Sequence, residues 1–465
     1  MQPVLLLDVV GLTRRQVQAD VTPHLAALAA RGSMAPMRAV LPAVTCSAQA
    51  TMLTGALPSE HGAGGNGWRD PASYDVALWR QSNHLVAGEK LYEAARRQGG
   101  SEFTCAKLFW WWNMGAAVDL SITPRPYYFA DGRKQVAIYA TPHEFGVETE
   151  GALGPFPFFD FWGPKAGLPS SRWIADAAIR TLRERRPTLT MAYLPHLDYD
   201  HQRYGPGDAR GVQAHRDIDA IGHDLVEAAD TAGAATVVVS EYGIRDVSRP
   251  VHINRALREA GLLRARPTPH GDVLDVFASG AFALADHQVA HVYCQGEAQT
   301  AAARERLEAL DGVAAVLDDE GKLAAGLDHP NAGTLVARSE PDAWFTYYYW
   351  EGREQEPDFA RTVDIHRKPG YDPAEMFVDP ELKLPMARVA RRLAQKKLGM
   401  RYLMDVIPLD ASLVRGSHGL VPEDPDDGPV WLSSLSFDGG VSGPDADGTV
   451  PMTGVKARVL EALAR

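Results

Sequence analysis

Three short apolar runs, residues 4–10, 189–194 and 235–240, constrain the fold most strongly. Each reads as a strand with both faces buried, which is how strands of a parallel sheet look in sequence. Helical stretches lie between them at residues 23–31, 91–98, 172–185 and 217–232. Thr22 followed by Pro23 marks the start of the first, since threonine caps and proline fits the first helical position. Alternation of strand and helix predicts an α/β fold with a doubly wound, mostly parallel sheet. Sites in such sheets lie beyond the carboxyl ends of the strands. Asp8 ends the first run, Asp198 follows the second, and Glu241 follows the third.

The pattern changes after about residue 263. Residues 291–294 read as a strand, 301–310 as a helix and 313–317 as a second strand. This βαβ unit predicts a smaller α+β insertion, or cap, over residues 267–371, with the main domain formed by 1–266 and 372–465. A chain of 465 residues is long enough for both. The net charge of −12 argues against a nucleic-acid polymer as partner, because phosphate backbones demand basic surface. Three scattered cysteines exclude a disulfide framework and a paired-cysteine zinc site. No apolar run reaches membrane-spanning length. The N-terminus lacks a basic region and a cleavage site, and Asp8 interrupts its apolar run, so it reads as a strand and the cytoplasm is the expected location.

The segment 41–68 carries the chemistry. Thr45 begins a helical run just after Pro42, and Asn66 follows in a glycine-rich loop. A helix N-terminus favours an anion. A threonine there caps the helix in the simplest case, and attacks phosphorus when a metal lowers its pKa. Pro42-Ala43-Val44-Thr45, Thr51-Met52-Leu53-Thr54-Gly55 and the run from Pro58 through His61-Gly62 to Gly65-Asn66 keep the order and spacing of three motifs: P-x-x-T, T-x-x-T-G and P-x-x-H-G-x-x-G-N. On these the chain resembles the type I phosphodiesterase/nucleotide pyrophosphatase branch of the alkaline phosphatase superfamily. The C-x-P-S-R motif of the sulfatase branch is missing at Cys46-Ser47-Ala48-Gln49.

The resemblance implies an alkaline phosphatase-like fold and two divalent metal ions, zinc or manganese, with magnesium possible. It makes Thr45 the nucleophile and a metal ligand, Asp8 a ligand of the same metal, and Asn66 a clamp on a phosphoryl oxygen. The family pattern P-D-x-x-G-H-x-x-G-P places its aspartate at Asp198 and its histidine at Gln202, so His201 sits one residue early. His201, Asp200 or a water is then left to complete that metal. Where the family carries S-D-H-G, this chain reads Ser240-Glu241-Tyr242-Gly243. Glu241 can still supply oxygen. Tyr242 is a poor ligand because its phenol titrates near about 10, which shifts preference toward manganese or magnesium. His252 is near enough in sequence to substitute, or simply starts a helix. Gly416-Ser417-His418-Gly419 matches the family's late G-x-H-G, making His418 a ligand.

No arginine stands near Thr45 to grip a dianion, so a small phosphodiester or nucleotide is the expected substrate. Three consecutive tryptophans, Trp110-Trp111-Trp112, cannot all face one core of regular structure. Trp111, with Lys107 beside it, is therefore expected to line a substrate pocket. A phosphonate hydrolase or phosphomutase on the same scaffold remains an alternative. So does a phosphate-ligand binding protein with little catalysis.

Overall fold

The computed structural model describes residues 1–130 and 133–465. A nine-stranded sheet forms its centre. Its order is Val450–Pro451, Ser33–Arg38, Val430–Ser433, Ala235–Val239, Val4–Val9, Leu189–Leu194, Cys105–Leu108, Leu120–Pro124 and Ile138–Thr141. The five strands from Ala235–Val239 to Leu120–Pro124 run parallel. Val430–Ser433 and Ile138–Thr141 pair antiparallel on either side of them. Every residue of Val4–Val9, Leu189–Leu194 and Ala235–Val239 is buried, as expected for strands covered on both faces.

These three strands are neighbours, so the residues after their carboxyl ends converge. The helices Leu168–Glu184 and Ala209–Thr231 cover the sheet. The latter starts eight positions earlier than the apolar periodicity alone indicates. Asp208 caps it by accepting from the Arg210 amide at 2.9 Å, a strong start signal. The predicted helix at 23–31 appears as Pro23–Arg31. Helix Val455–Leu463, after the glycine-rich tail loop, was not foreseen.

A second, four-stranded sheet has the order Ala281–Asp286, Val289–Cys294, Leu335–Ser339 and Val313–Leu317. Val289–Cys294, helix Glu297–Glu308 and Val313–Leu317 form the foreseen βαβ unit, with Leu335–Ser339 inserted antiparallel between its strands. The tight turn Asp286–Val289 of its first hairpin reaches the main sheet's carboxyl edge, where it meets Asn66 and His418.

Candidate active site

Asp8 is the penultimate residue of the central strand and is wholly buried. Both of its carboxylate oxygens lack a hydrogen-bond partner. Glu241, two residues beyond the neighbouring strand, is equally buried, and its Oε2 is also unpartnered. Burial, then the negative charge of Glu241, hold Asp8 well above the ordinary carboxylate range. Burial pushes Glu241 up as well, against the donors Gln49 and Thr45. Among the described residues no lysine or arginine pairs with either acid. Two carboxylates so placed favour holding one proton or a cation between them.

Thr45 opens the helix Thr45–Thr54, whose ten residues are all buried, and is itself 4 % exposed. Its Oγ1 lies 3.3 Å from Tyr242 Oη. Tyr242 Oη also lies 3.2 Å from Asp198 Oδ1, to which it donates. With the phenol's one proton on Asp198, the single Thr45 proton is shared between Tyr242 Oη and the Glu241 carboxylate. The other Asp198 oxygen accepts from Gln202 Nε2 at 2.8 Å, and Gln202 Oε1 accepts from Tyr371 Oη at 3.2 Å. Burial raises Asp198 to about 6, opposed by Gln202 and Tyr242. His418 Nδ1 donates to the Ala43 carbonyl at 2.8 Å, leaving Nε2 unpartnered 3.7 Å from Asp198 Oδ1. Burial lowers His418 to about 3, so its imidazole is neutral.

Asn66 bridges the two parts of the chain. Its Oδ1 accepts from the Cys46 amide at 3.0 Å, the second residue of the threonine's helix. Its backbone amide and Nδ2 donate to the two oxygens of Asp286 at 2.8 and 3.0 Å. An amide nitrogen carries two protons, so one donor of Asn66 remains for a ligand.

The structure thus brings together Asp8, Thr45, Asn66, Asp198, Glu241 and His418. It does not bring His201 to them. Residues His196–Tyr204 form a helix, on which Gln202 is one turn beyond Asp198 while His201 turns toward His215, ring centroids 4.8 Å apart. Asp200 pairs with Arg203 at 3.2 Å. His252 bonds Thr346 Oγ1 at 2.8 Å and stacks on Tyr348 instead.

All three tryptophans are buried, so none of them is exposed. Phe109 and Trp112 adopt positive φ, 63° and 55°, so the loop folds back and sends successive rings into different parts of one core. Trp111 donates its ring nitrogen to the Arg80 carbonyl at 2.8 Å. Its backbone amide holds Gln49 Oε1, and Gln49 Nε2 donates to Glu241 Oε1 at 2.6 Å. Lys107 is buried too, its Nζ on the Trp112 carbonyl at 2.7 Å. Sequence reasoning missed Gln49, Asp286 and His287. The sequence signal for Asp286 and His287 is the polar Asp286-His287-Gln288 set between apolar strands, which reads as an ordinary turn.

The α/β fold with carboxylates at adjacent strand ends beside a helix-borne threonine is alkaline phosphatase-like. Residues 4–372 match the Type I phosphodiesterase / nucleotide pyrophosphatase family, and the chain belongs to it. Members are phosphoesterase hydrolases and depend on divalent metals. No curated protein matches the sequence. Among solved structures, phosphonoacetate hydrolase from Sinorhizobium meliloti 1021, in complex with phosphonoformate, is similar at 14% identity and TM-score 0.61, over 99% of this chain and 96% of that one. Murine ectonucleotide pyrophosphatase / phosphodiesterase 5 is similar at 13% identity and TM-score 0.57, over 100% of this chain and 95% of that one. An inactive threonine-to-alanine variant of the murine protein is known in complex with AMP, at the same identity and score. No helix among the described residues is long and apolar enough to cross a membrane.

Among the described residues no group of three or more His, Cys, Asp and Glu side chains is placed to hold a metal ion. Asp8 and Glu241 do offer three unpartnered buried oxygens beside the Thr45 hydroxyl. This all-oxygen set fits a hard divalent cation.

Proposed function

We propose that this chain is a metal-dependent phosphodiesterase or pyrophosphatase-type hydrolase with Thr45 as nucleophile. The observation that carries this is the Thr45 hydroxyl beside the buried Glu241 carboxylate, which is itself paired with buried Asp8, three of the four carboxylate oxygens lacking a donor among the described residues. Asp8, Glu241 and Thr45 would hold a divalent cation, manganese or magnesium before zinc given the oxygen donors. Such a cation supplies a lowered hydroxyl pKa and neutralises charge at phosphorus. Thr45 Oγ1 displaces the leaving group from phosphorus, and water then cleaves the phospho-threonine ester. Asn66 offers its remaining N–H to a non-bridging oxygen, held in place by Asp286. Gln49, anchored on the Trp111 amide, fixes the Glu241 carboxylate.

A neutral amide, with no arginine among the described residues bonded to it, suits the single charge of a diester better than a dianionic monoester. The small-molecule partner is accordingly a phosphodiester or nucleotide, and the cytoplasm remains the proposed location. The test compares wild type and Thr45→Ala on bis-p-nitrophenyl phosphate, p-nitrophenyl phosphate and a phosphonate ester, after chelation and re-addition of manganese, magnesium or zinc. Metal-restored diester cleavage, lost in Thr45→Ala, is expected. Preference for the phosphonate ester would move the reading to a phosphonate hydrolase. Absence of turnover with every metal would leave a phosphate-ligand binding protein.

A further inference from the structure

The side chains around Asp198 do not fit a second cation. Both Asp198 oxygens already accept hydrogen bonds, from Tyr242 Oη at 3.2 Å and Gln202 Nε2 at 2.8 Å. Gln202 turns its donor end to Asp198 because Tyr371 Oη occupies its oxygen. A cation at that point would face an N–H group rather than a lone pair. His418 Nε2 is the free ligand atom beside Asp198, and His287, whose Nδ1 is also unpartnered, packs its ring against that of His418 at 3.7 Å. Tyr242 is also fixed. Its ring stacks on His418 at 3.5 Å and 6°, His418 lies 3.7 Å from His287, and His287 lies 3.8 Å from Tyr371. This four-ring column, closed at its far end by the insertion, leaves the phenol wedged between Thr45 and Asp198.

We propose that the centre is built for one divalent cation, at Asp8, Glu241 and Thr45, and that Tyr242 and Gln202 take the place of a second. A neutral phenol then stands between the nucleophile and Asp198. The centre carries two fewer positive charges than a two-cation site, which narrows its substrates to singly charged phosphorus esters. This rests on the reading of Thr45 as part of a cation site.

The test counts metal. Chelated protein is dialysed against manganese, and bound ion is measured by elemental mass spectrometry and electron paramagnetic resonance. Wild type is expected to hold one manganese per chain with an uncoupled, mononuclear spectrum. The Tyr242→His/Gln202→His double variant is expected to hold two with a spin-coupled spectrum. Two coupled ions in wild type, none in wild type, or one in a folded double variant would each overturn the proposal. If the double variant fails to fold, the wild-type count still decides. One ion together with turnover that survives Thr45→Ala would remove the nucleophile and leave the cation assignment standing.

Discussion

At the residue scale the site is a problem of uncompensated charge. Glu241 is held above its unfolded value of 4.5 by burial first, with no cationic side chain among the described residues to offset it. A raised carboxylate binds its proton more tightly in the folded state. Its contribution to stability is therefore complete below the unfolded pKa and lost as pH rises through the folded one. In cation-free protein, Glu241→Gln is expected to raise the melting temperature relative to wild type, by more at pH 8 than at pH 5. Manganese should reverse the order at pH 8, because only wild type gains the full binding term. Thermal melts with chelator and with manganese check this. A difference independent of pH would show that Glu241 ionises without penalty. The acids at strand ends were legible because carboxylates after buried strands are rare and conspicuous. Gln202 at the family histidine's place was legible too, but the Tyr371 hydroxyl that fixes its amide was not. One residue along a helix rotates a side chain by about 100°, and only the spacing from Asp198 distinguishes Gln202 from His201.

At the element scale the threonine's helix is capped at its far end. Gly55 is left-handed, φ 74°, and its amide reaches the Thr51 carbonyl at 2.8 Å. A Cβ there would lie 3.1 Å from the Thr453 carbonyl oxygen. Gly55→Ala should cost about 1 kcal/mol, as expected for a left-handed cap, measured by urea unfolding, with turnover per folded molecule unchanged. A matching fall in turnover would mean that strain at this cap reaches Thr45. Elements whose residues are uniformly buried, such as Val4–Val9, were read to within a residue. The burial of all three tryptophans was not legible, because the packing of the loop 109–113 depends on two residues at positive φ, for which Phe and Trp give no local signal.

At the scale of the whole molecule, the segment we propose as an insertion completes the site. It sends Asp286 to Asn66 and places His287 and Tyr371 in the ring column. That it is a separate βαβ-bearing sheet was legible from its change of pattern. That it reaches the nucleophile's helix was not, because the contacts span more than two hundred residues and depend on one turn. Asp286→Asn replaces one acceptor with a donor facing the Asn66 donors. It should destabilise the fold by about 1–3 kcal/mol and lower kcat more than it raises KM, read by denaturation and steady-state kinetics. Unchanged kcat in the folded variant would mean that Asn66 needs no such support.

The central claim, that Thr45 is the nucleophile, is tested most directly by trapping. Manganese-loaded protein is mixed with bis-p-nitrophenyl phosphate, quenched in acid, digested and mapped by mass spectrometry. A phosphorus adduct on Thr45, absent from Thr45→Ala, is the predicted result. Turnover of the diester with the adduct on another side chain, or with Thr45→Ala as active as wild type, would contradict it.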